Sequence, residues 1–595
     1  MAHLSENTLK LQYNLNSTLT SGDITPDVTL LILPYFNSLE EVSDKVTLYE
    51  ELNLFINQTN PRSVIAILTS PVVAADFCTS ATNKAHLKLW IAVKTTINKS
   101  IEGKLNQSHA SLLLFTRYPN ALNHTKTRIA YSYCPACDRT TKDYGGKKHL
   151  YHEYGTLMSD IWRDIAVDFN ELPLNIIDRL QDLFGLPEYK CVNVYDLRSK
   201  YPAIIANKLF RKYNSTTLNV LPQSVLLNGD CLEELKKIPD NSIDFCFADP
   251  PYNIKKKYEN WNDGIDIQTY FEWCDNWLSE MARVLKPGCT LAVLNIPQWC
   301  IRHFKHLNTI LDYQDWIVWE GLSLPVRMIM PAHYSILCFS KGKPRALPGL
   351  IRKTSSLLEK SSMETIKENF CARASCISKR RKQKNNDSEV ISNLWWDIHR
   401  LKHNSRRVDH PCQLPPAFMY RLISLFTNEN EFVLDPFNGV GSTTLTAQQL
   451  KRNFVGIELS AYYHNITCTR HQELTDGIDP FRKNNDETPK TKNSHVKRLE
   501  KQDYLVSKKQ LQLEVKQIAL QIGRKPTKED IAALSQYPIA YYENYFTSWG
   551  EVTAAARTTG MTEYKNNILQ EDVQQLRLFE EKKGKYKKTS KLKTK

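Results

Sequence analysis

No run of apolar residues in the 595-residue chain approaches the roughly 18 needed to cross a bilayer as a helix. Met1 to Tyr13 lack the basic-then-apolar pattern of a secretion signal. A membrane-spanning helix is thereby excluded, and the expectation is a soluble chain in the cytoplasm, with no membrane partner. A disulfide framework is missing too: most of the 14 cysteines stand alone, as at Cys78, Cys231, Cys246 and Cys289, which suits reduced thiols. Negative charge is in short supply. With 78 Lys and Arg against 64 Asp and Glu the formal net charge is +14, which points to a polyanionic partner, most simply nucleic acid. The length exceeds what one core can serve and suggests about three or four domains.

The region up to about Arg198 mixes apolar runs (Val64 to Leu68, Ser111 to Phe115) with amphipathic stretches such as Leu87 to Ile101, an α/β pattern. From Ser224 onward strands and helices alternate more clearly. Val225 to Leu227 reads as a strand, Cys231 to Lys237 as a helix, and Ile243 to Ala248 as a buried parallel strand. A longer helix over Gln268 to Leu285 is expected to stop at Lys286-Pro287-Gly288, before a strand at Thr290 to Leu294. Trp316 to Trp319 and Tyr334 to Phe339 form an antiparallel pair in this reading, and Gly342 to Asn393 is a basic, irregular insert. A helix over Phe418 to Phe426 leads into a second strand–turn–helix. The chain then divides into a linker at 476–507, a helical unit at 508–562 broken at Gly523 to Thr527, and a lysine-rich tail at 563–595.

Two stretches carry chemistry. Asp249-Pro250-Pro251-Tyr252-Asn253 follows the strand at 243–248, where open α/β sheets place ligands. Proline removes amide hydrogens, so the loop offers mainly acceptors, the Asp249 carboxylate and the Pro-Pro carbonyls, beside the aromatic face of Tyr252. Such a loop suits a planar ring bearing an amino group.

The second stretch, Phe432 to Glu458, is strand, glycine turn, helix, strand and acidic residue, the arrangement that binds an adenosine-containing cofactor. Gly439 and Gly441 allow close approach, and Glu458 is placed for ribose hydroxyls. No Gly-Lys-Ser/Thr closes the turn, which excludes a nucleoside-triphosphate loop and favours a cofactor without phosphates.

Together, Asp249-Pro250-Pro251-Tyr252 and Asp435-Pro436-Phe437-Asn438-Gly439-Val440-Gly441 resemble the DNA amino-methyltransferases that use S-adenosylmethionine, in the permuted order of their beta class. Matching pieces are Asn228-Gly229-Asp230-Cys231-Leu232, Ala332 to Leu337, and His410-Pro411-Cys412-Gln413-Leu414-Pro415, so the resemblance covers about Ser224 to Leu474. It implies a Rossmann-like methyltransferase fold at 220–475, with a target-recognition insert at 342–393. By the resemblance Asp249 and Pro250, with Pro251, bind the target amine, and Tyr252 stacks on the base. Asp230 and Glu458 hold the adenosine, and Asp435 with Phe437, Asn438, Gly439, Gly441, Ser442 and Thr443 surrounds the rest of the cofactor. The implied substrate is adenine N6 in double-stranded DNA, with cytosine N4 as the alternative and a restriction endonuclease as a partner in the same system. An inactive DNA-binding scaffold is the rival reading. The helical unit resembles the small repeat associated with homing endonucleases, through Gly523 to Thr527 and Phe546 to Gly550.

Segments of the first half match the second half in order. Ser63 to Pro71 parallels Ser242 to Pro250, His109 to Arg117 parallels His333 to Lys341, Ser159 to Ile165 parallels Ser392 to Ile398, and Leu172 to Phe184 parallels Leu414 to Phe426. The expectation is a degenerate methyltransferase-like domain at 1–205, its acceptor loop reduced to Ser70-Pro71-Val72-Val73, forming a pseudo-dimer with the active copy. Each copy carries a cysteine-bearing insert, at 118–158 and 342–393. Cys134, Cys137, Cys371 and Cys376 could hold one tetrahedral zinc, or Cys134 and Cys137 could use His149 and His152 instead. Lys142, Lys147, Lys148 and Lys379 to Lys382 are the candidate target-reading cations.

Overall fold

The computed structural model describes residues 27–60, 63–81, 85–117, 122, 124–125, 127–140, 155–186, 191–213, 218–254, 264–321, 329–353, 356–383, 387–399, 413–481, 508–524, 526–546 and 549–553. Lys142, Lys147, Lys148, His149, His152 and His410 to Cys412 lie outside these residues. The fold is α/β, and no described helix is long and apolar enough to cross a membrane.

In the first half, β1 (Val28–Ile32), α1 (Lys45–Gln58), β2 (Val64–Thr69), α2 (Pro71–Ser80), β3 (His86–Lys99) and β4 (Gln107–Thr116) are followed by four two-residue strands. These are β5 (Arg128–Ile129), β6 (Tyr133–Cys134), β7 (Arg139–Thr140) and β8 (Thr156–Leu157). Then come β9 (Ile161–Val167), α3 (Leu174–Phe184) and β10 (Asn193–Asp196). Leu87 onward, read as amphipathic, is strand β3: it pairs edge to edge with β4, and Leu89 to Val93 are buried in succession, on both faces.

In the second half, β11 (Val225–Asn228), α4 (Cys231–Leu235), β12 (Ile243–Ala248), α5 (Ile267–Val284), β13 (Leu285–Asn295), α6 (Pro297–Ile310), β14 (Asp312–Glu320) and β15 (His333–Ser340) lead into the insert. The insert contains α7 (Pro348–Ile351), α8 (Leu357–Ser362), β16 (Glu364–Ile366), α9 (Ala374–Lys382) and β17 (Ser388–Val390), so it is more regular than its composition suggested. After it come β18 (Leu394–Trp395), α10 (Pro416–Phe426), β19 (Phe432–Asp435), α11 (Ser442–Gln449), β20 (Asn453–Glu458) and α12 (Ala461–Thr475). Lys286-Pro287-Gly288 does not end in a loop: it lies inside β13, at a register irregularity opposite Asp244. Gly288 takes φ +76° there, and Lys286 pairs with both Asp244 oxygens at 2.9 Å. The last four helices among the described residues, α13 (Lys508–Ile522), α14 (Lys528–Leu534), α15 (Ile539–Tyr545) and α16 (Trp549–Val552), gather around Leu511, Val515, Ile531 and Tyr542. Thr527 caps α14 in a capping box with Asp530, which explains the restart after Gly523.

The two main sheets repeat one order. The first runs β10-β1-β2-β4-β3-β9 and the second β11-β20-β19-β12-β13-β15-β14-β18. Removing β11 and β20 leaves two six-stranded orders that correspond strand for strand, with the same parallel and antiparallel pairings. The registers agree as well. Val64 pairs with Thr116 and Thr69 with Ser111, as Thr290 pairs with Ser340 and Asn295 with Ser335. A bulge between Leu87 and Leu89 recurs between Tyr313 and Asp315. The indole N–H of Trp162 donates to Ser159 O at 3.1 Å and that of Trp395 to Ser392 O at 2.8 Å, and Arg179–Asp164 answers Arg421–Asp397.

This topology corrects one sequence match. The strand at 64–69 corresponds to β13, not to β12, and the Ser70-Pro71 start of α2 corresponds to Ile296-Pro297 at the start of α6. The strand equivalent to β12 is β1: Val28 pairs with Val64 as Phe245 pairs with Thr290. Counting on from there, Ile32 stands where Asp249 does and Tyr35 where Tyr252 does. The short match at 63–71 misled because any buried parallel strand ending in proline looks alike.

The two halves meet through reciprocal contacts between equivalent residues. Trp90 and Trp316, equivalent residues, stack on each other with ring centroids 4.6 Å apart and planes 10° apart. His109 reaches Trp316 O at 2.9 Å, and its equivalent His333 reaches Trp90 O at 3.2 Å. Burial holds these histidines at pKa values of about 4 and about 3, so both are neutral and donate one N–H each. Asp160 N–H donates to Met330 O and Asn393 N–H to Asn106 O, again a reciprocal pair. Helices α2 and α6 pack together here, and one apolar cluster runs through both halves. Such mutual contacts are what an isologous interface produces.

Candidate active site

Strands β12 and β19 are parallel neighbours, while the chain leaves β12 toward β13 on its other side. That is a switch point of the sheet, where ligands sit beyond the carboxyl ends of the strands. Four adjacent parallel strands end there, so Asp230, Asp249, Asp435 and Glu458 arrive from distant parts of the sequence. They line one cleft, open to solvent, together with Pro251, Phe437, Asn438, Gly439, Ser442 and Thr443.

The acceptor loop is held from both sides. Asn253, at φ +54°, donates its side-chain N–H to Ile265 O and accepts from Ile265 N–H through Oδ1, both at 2.9 Å. The Tyr270 hydroxyl donates to Pro251 O at 2.7 Å, and the Trp299 indole donates to Tyr252 O at 2.7 Å. Pro250 and Tyr252 are buried behind the cleft wall, where Asp249 and Pro251 face inward. Tyr252 therefore does not offer the open stacking face expected of it, and its hydroxyl donates to Asp249 at 2.9 Å. With the Pro251 carbonyl engaged, the Pro250 carbonyl is the one in this pair with no donor among the described residues.

The glycine turn is built by close approach. Gly439 and Gly441 take φ +54° and +83°, and a Cβ on Gly441 would stand 2.7 Å from Thr467 Cγ2. Gly441 is the N-cap of α11 and lies behind the lining. Glu458 accepts from Gly439 N–H at 2.8 Å with one oxygen and from Ser460 N–H at 2.9 Å with the other, which fixes it at the rim. Asp230 caps α4 through Oδ1. Asp435 is fully buried; Oδ1 accepts from Phe437 N–H at 2.9 Å and Oδ2 from the Thr443 hydroxyl at 2.5 Å. Burial pushes its pKa up to about 7, against the two hydrogen bonds, and the carboxylates of Asp249 and Glu458 push the same way.

Sequence reading missed Trp273 and Tyr463, which also line the cleft. Trp273 and Trp277 hold the Phe437 ring edge-on, with centroids 5.6 Å and 5.1 Å away. The apolar spacing of α5 carried both tryptophans, but nothing local distinguished core positions from lining.

Residues 243–468 match the N6/N4 family of DNA methylases. The match takes in Asp249, Asp435 and Glu458 and lies wholly in the second half of the chain. The type II methyltransferase M.BamHI of Bacillus amyloliquefaciens is 35% identical over 239 residues, covering 39% of this chain and 54% of that relative. The chain thus spans about half the length of this relative. The DNA adenine methyltransferase YhdJ of Escherichia coli (strain K12) is 28% identical over 248 residues, 41% of this chain and 81% of that relative. Among solved structures, the PvuII DNA methyltransferase (cytosine-N4-specific) aligns at 18% identity with a TM-score of 0.31, over 43% of this chain and 92% of that one. The residues matching the DNA methylase family include both cleft-forming loops, at 249–253 and 435–443.

A second cluster lies outside the cleft. Cys134 and Cys137 approach Cys376 and Cys371 at 3.9 Å each, and the four sulfur atoms all lie within 4.8 Å of one another.

Proposed function

We propose that this chain is a DNA methyltransferase that moves a methyl group from S-adenosylmethionine to the exocyclic amine of adenine, N6. The observation that carries the reading is the meeting of the Asp249 acceptor loop and the Asp435–Gly441 turn in one cleft. In this reading Glu458 and Asp230 bind the adenosine, and Phe437 to Thr443, with Asp435, face the methionine part. A base turned out of the duplex enters past Pro251. The Asp249 carboxylate and the Pro250 carbonyl accept its two amine hydrogens and draw the nitrogen lone pair out of the ring. S-adenosylmethionine, held by the glycine turn, would supply an electrophilic methyl group to that nitrogen and leave as the neutral thioether, and Asp249 would take the proton that the methylated nitrogen releases. Tyr252 must release Asp249 as the base arrives, and that release exposes its ring for stacking. No thiol adduct is required, because the acceptor is nitrogen and not a ring carbon.

The other assignments follow this reading. Duplex DNA is the polyanionic partner, and a restriction endonuclease of the same specificity is the cellular one. The first half is a degenerate copy without a cofactor site: among the described residues its sheet stops at β10 with no equivalents of α11 and β20, and Ile32 stands at the Asp249 position. The helical unit at 508–553 is an added DNA-binding module. The four clustered thiols hold a structural zinc ion.

Incubation with S-adenosylmethionine and unmethylated duplex, followed by nucleoside mass spectrometry, is the test. N6-methyladenine supports the reading; N4-methylcytosine keeps the mechanism and changes the base; DNA binding with no methylated nucleoside replaces it with an inactive scaffold.

The electrostatics of Asp435 give a further expected result. Its carboxyl is neutral below a pKa of about 7, and a cationic cofactor favours the ionised form. Cofactor affinity should therefore rise with pH up to about 7 and level off above it, weakening by up to about tenfold per unit below. Titration calorimetry between pH 5.5 and 8.5 checks this, and Asp435→Asn should flatten the profile.

A further inference from the structure

The four-thiol cluster has the dimensions of a metal site. A tetrahedron with zinc–sulfur bonds of ~2.3 Å has sulfur–sulfur edges of about 3.8 Å, and two cross-pairs stand at 3.9 Å. These separations are far beyond the ~2.05 Å of a disulfide. Cys134 and Cys137 come from the β6–β7 hairpin, in the connection between β4 and β9; Cys371 and Cys376 come from the equivalent connection between β15 and β18. Each half of the molecule therefore supplies two sulfur atoms.

Two independent features call for an anionic centre. Arg380 is fully buried, its Nη1 donates to Cys376 Sγ at 2.9 Å, and its Nη2 has no partner among the described residues. Asp387 neutralises its single charge, yet a guanidinium donating to sulfur is well matched only by a thiolate. Four thiolates around a divalent ion carry two net negative charges, and the Cys371 N–H also points at Cys134 Sγ, at 3.4 Å. The second feature is the small size of the core around the sulfur atoms. Among the described residues the buried cluster here consists of Cys134, Cys371 and Cys376, packed by Ala136, Cys137 and Phe370. Strands of two residues do not hold a hairpin together in water without such a staple.

Helix α9 starts in this cluster. Arg380 points inward to the sulfur atoms, while Lys379, Arg381 and Lys382 are exposed on the same helix, and Lys379 Nζ reaches Ala136 O in the other half at 3.5 Å. We infer that one zinc ion held by Cys134, Cys137, Cys371 and Cys376 fastens the inserts of the two halves into a single DNA-reading body, with α9 displayed to the phosphates. The ion is structural: it sets DNA affinity, not cofactor affinity. The inference rests on the methyltransferase reading for the identity of the polyanion, and on the cluster alone for the metal.

The test uses the full chain. Elemental analysis should find about one zinc per chain. Cys134→Ser with Cys376→Ser should lose the zinc, weaken duplex binding at least tenfold, and leave calorimetric S-adenosylmethionine affinity unchanged. Lys379→Ala with Arg381→Ala and Lys382→Ala should keep the zinc, weaken duplex binding, and reduce the salt slope by up to about three. Should the cysteine variant fail to fold, chelator removal of zinc from the unaltered chain, with cofactor binding as the folding control, replaces it. Absence of zinc in chain purified and loaded under reducing conditions overturns the metal site. Zinc loss with unchanged duplex affinity overturns the fastening role and leaves the metal. A chain that binds zinc and cofactor but no DNA in any form overturns the methyltransferase reading instead.

Discussion

Replacing Asp249 by alanine should reduce methyl transfer on the order of 10³-fold while leaving duplex and cofactor binding in place. Removing one preorganised group that acts on developing charge typically costs 10²–10³ in rate, and here the same carboxylate also takes the proton. Cofactor binding should survive because Asp249 holds no part of the glycine turn. It should even become slightly tighter near neutrality: Asp249 is one of the charges that push Asp435 up toward about 7, so its removal lets Asp435 ionise at lower pH. Single-turnover methylation under saturating cofactor and duplex isolates the rate, and calorimetry isolates the binding. Equal loss of cofactor affinity and rate would mean that the residue shapes the cleft and does not act on the amine. Asp249→Asn separates charge from shape, since the amide keeps one acceptor oxygen. The Tyr252 hydroxyl, 2.9 Å from Asp249, gives a weaker companion: Tyr252→Phe should alter the rate far less, because the ring remains.

Trp316→Ala should destabilise the protein by about 3–5 kcal/mol, the range for deleting a large buried aromatic. Trp316 and Trp90 are both almost fully buried and stack at the centre of the join between the halves. Trp90→Ala should cost a similar amount by symmetry, although the main-chain carbonyl bonds from His109 and His333 persist in both variants. The double variant should cost less than the sum, because the stack is lost once. Urea unfolding monitored by far-ultraviolet circular dichroism measures all three. Strict additivity would mean that each indole is held by its own half and that the stack contributes nothing.

The parts of the active cleft that were legible in the sequence are those where backbone chemistry leaves a local mark. Consecutive prolines after a buried strand, two glycines before a helix and an acidic residue closing the next strand all do so. Trp273 and Tyr463 were not legible, since a cleft-lining aromatic on an amphipathic helix looks like any core aromatic until a neighbour is placed opposite. The behaviour of Tyr252 and Pro251 depended on Tyr270 and Trp299, donors that the sequence puts well downstream of the loop. The internal repeat was visible through His109/His333 and Trp162/Trp395, residues whose side chains bond backbone atoms and so tolerate little exchange. It was misaligned at 63–71, where only apolar alternation guided the match. Six strands in one order and one register supply what four short matches could not.

Strand β12 meets β19 across a long gap in the chain: the Phe432 N–H bonds the Asp244 side chain, 188 residues earlier. During synthesis, then, the first sheet is complete once β10 has emerged, while β12 waits beside an empty position for most of the second half. The finished first half presents Trp90 and α2 as a ready surface on which the β13–α6–β14–β15 unit settles. The cleft itself closes last, when β19 joins β12, and β20, made after it, slots in between β19 and β11. A ribosome-bound chain that has passed β18 but not β20 would be largely folded and unable to hold the cofactor.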